Sequence, residues 1–145
     1  MSYVRSRAKQ LGLKKRFHEF VDIHLHIPDN AVPKEGPSAG VAMTVALVSA
    51  FTKCPIDPRI AMTGEISLYG RVLPVGGVRE KLLAAEREGI RTVIVPIDNL
   101  DDVDDVKPLL KEPMRIIGVK VLDDVWPHVF LKSPFMNQIL WLNEA

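Results

Sequence analysis

An α/β fold, with helices layered against a sheet that is at least partly parallel, is what this 145-residue sequence predicts. Two observations carry that expectation. Runs of strand length alternate along the chain with apolar or amphipathic runs of helix length, the order that builds layered domains with parallel pairing. One short run, Arg91-Thr92-Val93-Ile94-Val95-Pro96, is apolar without interruption, as a strand covered on both faces should be. The length suits a single domain around one core.

Taken in order, Tyr3 to Leu11 reads as a helix. Val21 to Ile27 reads as a strand, because its polar and apolar residues alternate. Ala39 to Thr52 is apolar on most faces and predicts a buried helix. Ile60 to Ile66 and Arg71 to Val75 predict neighbouring strands around a turn at Tyr69-Gly70. Val78 to Glu88 predicts an amphipathic helix stopped by Gly89 as its C-terminal cap. The run from Arg91 to Pro96 is next, as the buried strand. Asp98 to Leu110 is an acidic loop and short helix with a solvated face. Arg115 to Leu122 is a further strand, and Asp123-Asp124 can cap a helix whose course Pro127 disturbs.

Composition excludes several classes. A net charge of +1 without a concentrated basic run argues against nucleic acid as a partner, and Lys14-Lys15-Arg16 reads as a solvated helix end. No apolar run approaches the roughly 20 residues of a membrane span, and nothing near the start looks like a signal peptide. The single Cys54 excludes an intramolecular disulfide and suits a reducing compartment, as a small packed side chain. Neither a P-loop nor a glycine-rich nucleotide fingerprint occurs.

The chemistry concentrates at Pro33-Lys34-Glu35-Gly36-Pro37-Ser38-Ala39-Gly40, which runs straight into an apolar helix. Pro37 suits the first turn of a helix, while Gly36 and Gly40 let the backbone come close to a ligand. Amides at a helix start carry partial positive charge and can stabilise a carbonyl oxygen as it becomes an oxyanion. Ser38 is therefore a candidate nucleophile. The competing reading is a serine that merely caps the helix. A serine needs an adjacent base, and a lysine can serve when burial brings its pKa down from about 10.4. At about 100° per residue, Lys81 lies beside the stripe of Val78, Leu82 and Ala85, which suits partial burial. The bland reading is a lysine snorkelling from the rim of an ordinary helix.

The Ser38 segment, Met62-Thr63-Gly64-Glu65, the run Gly70-Arg71-Val72-Leu73-Pro74-Val75-Gly76-Gly77 and the helix Val78-Arg79-Glu80-Lys81-Leu82-Leu83-Ala84-Ala85 together resemble the proteolytic domain of the Lon ATP-dependent proteases. The similarity is collinear from about Asp22 to Val106 and rests on several independent motifs. It implies a layered fold with a mixed sheet and flanking helices, and a serine endopeptidase with a Ser–Lys dyad. By the resemblance Ser38 is the nucleophile, Lys81 the general base, and Thr63 a hydroxyl that orients the Lys81 amine. Its substrates would be unfolded or damaged polypeptides. The family further implies a homo-oligomer, a hexameric ring, working with an AAA+ ATPase module, so ATP and magnesium belong to that module and no cofactor to this chain. Bacterial cytoplasm and an organelle matrix, mitochondrial or peroxisomal, both fit.

His24 and His26 share one face of their predicted strand. A metal pair is conceivable, yet no cysteine or third histidine stands nearby to complete zinc's usual set. The resemblance has histidine at both positions and implies that at least one lies near the active-site cleft. Glu35 departs from the shorter aspartate expected there; a carboxylate three residues before the serine can hydrogen-bond the hydroxyl or nearby amides. Gly36-Pro37-Ser38-Ala39-Gly40 also matches the nucleophile elbow of an α/β-hydrolase esterase, with Asp98 or Asp101 and then His128 in order. An elbow comes directly after a buried strand, however, and Pro28-Asp29-Asn30-Ala31-Val32-Pro33-Lys34 is no such strand.

Ser2 to Ala8 resembles the middle of a helix in the family, so residues 1–145 read as one proteolytic domain truncated at its N-terminal side. Beyond Val125 the resemblance fades, and residues 126–145 read as a divergent helical tail with an apolar stretch from Pro134 to Leu142. A non-catalytic oligomerisation or peptide-binding fragment is the alternative to a peptidase.

Overall fold

The computed structural model describes residues 1–26 and 37–135. Its centre is a three-stranded parallel sheet of β1 (Ile60–Met62), β4 (Thr92–Pro96) and β5 (Arg115–Val119), with β4 in the middle. Ile60 sits beside Thr92, and Thr92 beside Arg115, so the three strands start level. Parallel neighbours need crossovers, and these are helical. β1 reaches β4 through an antiparallel pair, β2 (Glu65–Ile66) and β3 (Val72–Leu73), and helix α3 (Val78–Arg87). β4 reaches β5 through α4 (Leu100–Val106).

The unbroken apolar run of β4 is explained by what lies above and below it. Val93 and Val95 pack with Val78, Leu82 and Ala85 of α3 and with Val103 and Val106 of α4. Ile94 points the other way, into a cluster with Val41, Val45 and Val48 of α2 (Gly40–Thr52) and with Tyr3, Val119 and Trp126. Side chains alternate along the strand, but helices cover both faces, so both sets are apolar. The layered α/β class with parallel and antiparallel pairing is thus the observed one. The acidic residues Asp101, Asp102, Asp104 and Asp105 of α4 are exposed, its solvated face.

Several expected boundaries move. The first helix, α1, ends at Ser6, and the chain continues in turns to Gly12, still burying Tyr3, Val4, Ala8 and Leu11. Residues 21–26 form no strand and are exposed. Alternation makes a strand only where a partner supplies the ladder bonds, and no described strand lies beside this segment.

The expected strand Ile60 to Ile66 breaks at Thr63-Gly64. Gly64 has φ +154°, and a Cβ there would lie 2.8 Å from both Val41 Cγ2 and Val72 Cγ1. The turn at Tyr69-Gly70 is as expected, with Gly70 in the left-handed region pressed against the Tyr3 ring. Gly89 likewise stands left-handed after α3.

Pro127 does not disturb a helix. It sits in the first turn of α5 (Trp126–Val129), where its missing N–H costs nothing. Asp124 accepts from the amides of Lys120 and Val121, while Asp123 turns to Tyr3, Arg7 and Trp126.

Candidate active site

The N-terminus of α2 is clasped to the bend that comes after β1. The Gly64 amide donates to the Ser38 carbonyl at 2.9 Å, and the Val41 amide donates to the Gly64 carbonyl at 3.1 Å. The Thr63 hydroxyl adds a bond to the Ser38 carbonyl at 3.3 Å, from a residue only 6% exposed. Two glycines permit this close approach. A Cβ at Gly40 would stand 3.0 Å from the Ile66 amide nitrogen, and Gly64 has no room for one either. Ser38 is thereby held, partly exposed, at the carboxyl end of β1.

Helix capping does not account for Ser38. The N-cap of α2 is Ala39, and no side chain caps it. The amides of Gly40 and Val41 already have acceptors, in the carbonyls of Pro37 and Gly64.

Lys81 stands in the first turn of α3, which runs back against β4, so its start lies at the same end of the sheet as Thr63. The common end is confirmed by Asn99, three residues beyond β4, which bonds to Val75, just before α3. In open α/β sheets this carboxyl end is where ligand crevices form. Burial lowers the Lys81 pKa from its ordinary value, and the nearby Glu80 carboxylate opposes that in part. The amine donates to the Gly76 carbonyl at 2.7 Å. The expected bond from Thr63 to Lys81 is absent among the described residues, since Thr63 turns to Ser38 and Lys81 to Gly76. Thr63 and Ser38 are brought into contact; Ser38 and Lys81 share an end of the sheet without a hydrogen bond between them.

The remaining expected residues separate. His24 and His26 lie in the exposed irregular segment 21–26, and Glu35 lies outside the described residues. His128 lines a cavity with Ile60, Thr92 and Arg115, the first residues of the three parallel strands. That is the opposite end of the sheet from Ser38, so a hydrolase triad of Ser38 and His128 is not formed. Among the described residues no group of three or more His, Cys, Asp or Glu could hold a metal ion, and no helix is long and apolar enough to cross a membrane.

Asn99 is a buried polar residue at this end of the sheet that the sequence reading does not single out. It is 4% exposed and makes three side-chain hydrogen bonds. Its one signal in the sequence is that of a polar residue soon after the most buried strand.

Fold and site thus define a layered α/β domain that presents a serine turn and a partly desolvated lysine at one end of a parallel sheet. A family model for the Lon protease (S16) C-terminal proteolytic domain matches residues 1–132. The Lon protease of Brevibacillus choshinensis is 48% identical over 133 residues, 92% of this chain and 17% of that protein. That of Haemophilus influenzae is 51% identical over 125 residues, 86% of this chain and 16% of its own length. The Lon protease of Buchnera aphidicola is 48% identical over 136 residues, 94% and 18% of the two chains. This chain belongs to the Lon protease proteolytic-domain family. It spans less than a fifth of the length of these curated relatives.

Proposed function

We propose that this chain is a serine endopeptidase that cleaves peptide bonds through an acyl-enzyme on Ser38, with Lys81 as general base. The observation that carries the reading is the clasp of Gly64 and Thr63 on the Ser38 carbonyl, which holds the serine at the same end of the sheet as a lysine of lowered pKa. The lysine must give up Gly76 and take the Ser38 hydroxyl proton as the oxygen attacks the scissile carbonyl. Its ammonium then returns that proton to the leaving amine. Among the described residues the amides of Gly40 and Val41 have acceptors and those of Ser38 and Ala39 have none, so the latter two are the donors proposed to face the oxyanion. Thr63 serves the reaction by holding the nucleophile's turn. Glu35 is assigned a hydrogen-bonding role as a carboxylate three residues before the serine, and the family resemblance assigns at least one of His24 and His26 a place near the cleft.

Unfolded polypeptides are the proposed substrates. Partners are the AAA+ ATPase module of a longer Lon subunit and further copies of the domain in a ring, with ATP and magnesium confined to that module. A reducing compartment, bacterial cytoplasm or organelle matrix, fits the lone Cys54. One observation favours a second reading, a peptide-binding or oligomerising domain: the amine rests on Gly76, not on Ser38. A fluorophosphonate probe and subsequent peptide mapping separate the two. Labelling confined to Ser38 and lost in Lys81→Ala supports the peptidase; an unlabelled Ser38 in the assembled protein leaves the binding domain.

A further inference from the structure

We infer that Asn99 is a positioning residue for Lys81, acting through the backbone of Val75 and Gly76; the inference rests on reading Lys81 as the general base. Asn99 occupies the N-cap of α4, where an asparagine ordinarily accepts a hydrogen bond from its own helix, yet it makes no such cap. Its side chain instead grips both polar groups of one residue in another segment. Oδ1 accepts from the Val75 amide at 2.9 Å, and Nδ2 donates to the Val75 carbonyl at 3.0 Å. Nδ2 also donates to Asp102 Oδ2 at 2.6 Å, so two acceptors face the nitrogen and one donor faces the oxygen. That pattern fixes the orientation of the amide.

The clamp matters because a glycine pair comes directly after Val75. Gly76 and Gly77 are both exposed, Gly77 is left-handed, and such a pair has little stiffness of its own. Gly76 nevertheless supplies the carbonyl that takes the Lys81 amine. Asn99, itself buried, anchors the residue immediately before that carbonyl, and so fixes where the amine rests and how far it is shielded from solvent. An aspartate would keep the acceptor but lose both donated bonds and stand against Asp102. Asp102 takes the other proton of Nδ2, so its loss leaves both bonds to Val75 in place.

The test reads Lys81 directly, by NMR titration of the chain labelled with 13Cε-lysine, the resonance being identified by its loss in Lys81→Arg. In the wild type the Lys81 amine titrates below free lysine. In Asn99→Ala, shown to be folded by near-UV circular dichroism, the midpoint returns towards the free-lysine value as the loosened backbone admits water. Asn99→Asp gives the same direction and serves if the alanine variant does not fold; Asp102→Ala keeps the wild-type midpoint. In the peptidase assay of the assembled protein, Asn99→Ala lowers kcat by about 10- to 100-fold with KM little changed. An unchanged or lower midpoint in both folded Asn99 variants overturns the positioning role. Full peptidase activity in Lys81→Ala overturns instead the assignment of the base, so the two failures are distinct.

Discussion

Ser38, Lys81 and Thr63 stand at the scale where the sequence is most informative and where single atoms decide the outcome. Ser38→Ala and Lys81→Ala should each abolish peptidase activity while leaving the circular dichroism spectrum and melting temperature near wild type. Each removes a member of one catalytic unit, whose effects are not additive. Comparable turnover in either variant would show that the dyad is not the machinery. Thr63→Val removes only the hydroxyl that bonds the Ser38 carbonyl, and turnover should fall by about 10- to 100-fold. Wild-type steady-state kinetics in that variant would reduce Thr63 to a residue of the strand end. The lowered pKa of Lys81 sets the sign of the pH dependence. A base works only when neutral, so activity should rise as pH climbs through a pKa below lysine's ordinary 10.5. A histidine base would level off from about pH 7. A pH–rate profile with its limb at histidine's pKa, lost in His24→Gln, would transfer the role to His24. As candidates, Ser38 is legible in its Gly/Pro turn and Lys81 in the resemblance of its helix to the family's. The bonds that Thr63 and Lys81 make are not, because each is decided by a residue more than one element away or by a glycine carbonyl.

At the scale of elements, the break between β1 and β2 matters more for the site than any regular strand. A continuous strand from Ile60 to Ile66 would carry Thr63 and Gly64 straight past the start of α2. The bend at Gly64 turns both its amide and its carbonyl onto that helix start. Gly64→Ala would push a methyl group into Val41 and Val72 at an unfavourable φ, at a cost of about 1–3 kcal/mol. A melting temperature lowered by roughly 3 to 10 °C, with peptidase activity falling at temperatures where the variant is still folded, is the expected result. Unchanged stability would mean that the clasp is plastic. The long elements are legible because sustained periodicity, or an unbroken apolar run, is a strong signal: α2, α3 and β4 all lie within a residue or two of expectation. The short ones are legible as neighbours around the Tyr69-Gly70 turn but not in their bounds, since β2 and β3 have two residues each and lean on one another and on the Arg71–Val121 bridge.

Across the whole molecule, the two ends of the described chain are joined at Asp123. The Tyr3 hydroxyl donates to Asp123 at 2.8 Å, Arg7 pairs with it at 2.6 Å, and the Trp126 indole adds a bond at 3.2 Å. Burial first, and then the Asp123 carboxylate, raise the Tyr3 pKa to about 12. The folded-state value lies above the ordinary 10.0, so the phenol's contribution is complete below pH 10 and is lost as pH rises towards 12. Tyr3→Phe should therefore cost about 0.5–1.5 kcal/mol at neutral pH in a denaturant titration, and its stability should converge with wild type across that alkaline window. An equal loss at all pH values would place Tyr3's contribution in ring packing alone. Trp126 is 2% exposed and makes tilted ring contacts with Tyr3 and Phe130 and an edge contact with Phe135, which ties the segment after Val125 into the core.

The sequence by itself determined the class of fold, the buried central strand, the serine turn and the helix that carries Lys81, because each is written in contiguous residues through periodicity or turn chemistry. Only the tertiary structure decided which polar groups meet. Asn99 turns from capping its own helix to gripping Val75, Lys81 rests on Gly76, and His128 falls at the far end of the sheet from Ser38. Those contacts join segments separated in the chain, and their partners are largely backbone atoms, which every residue carries and no side-chain pattern announces.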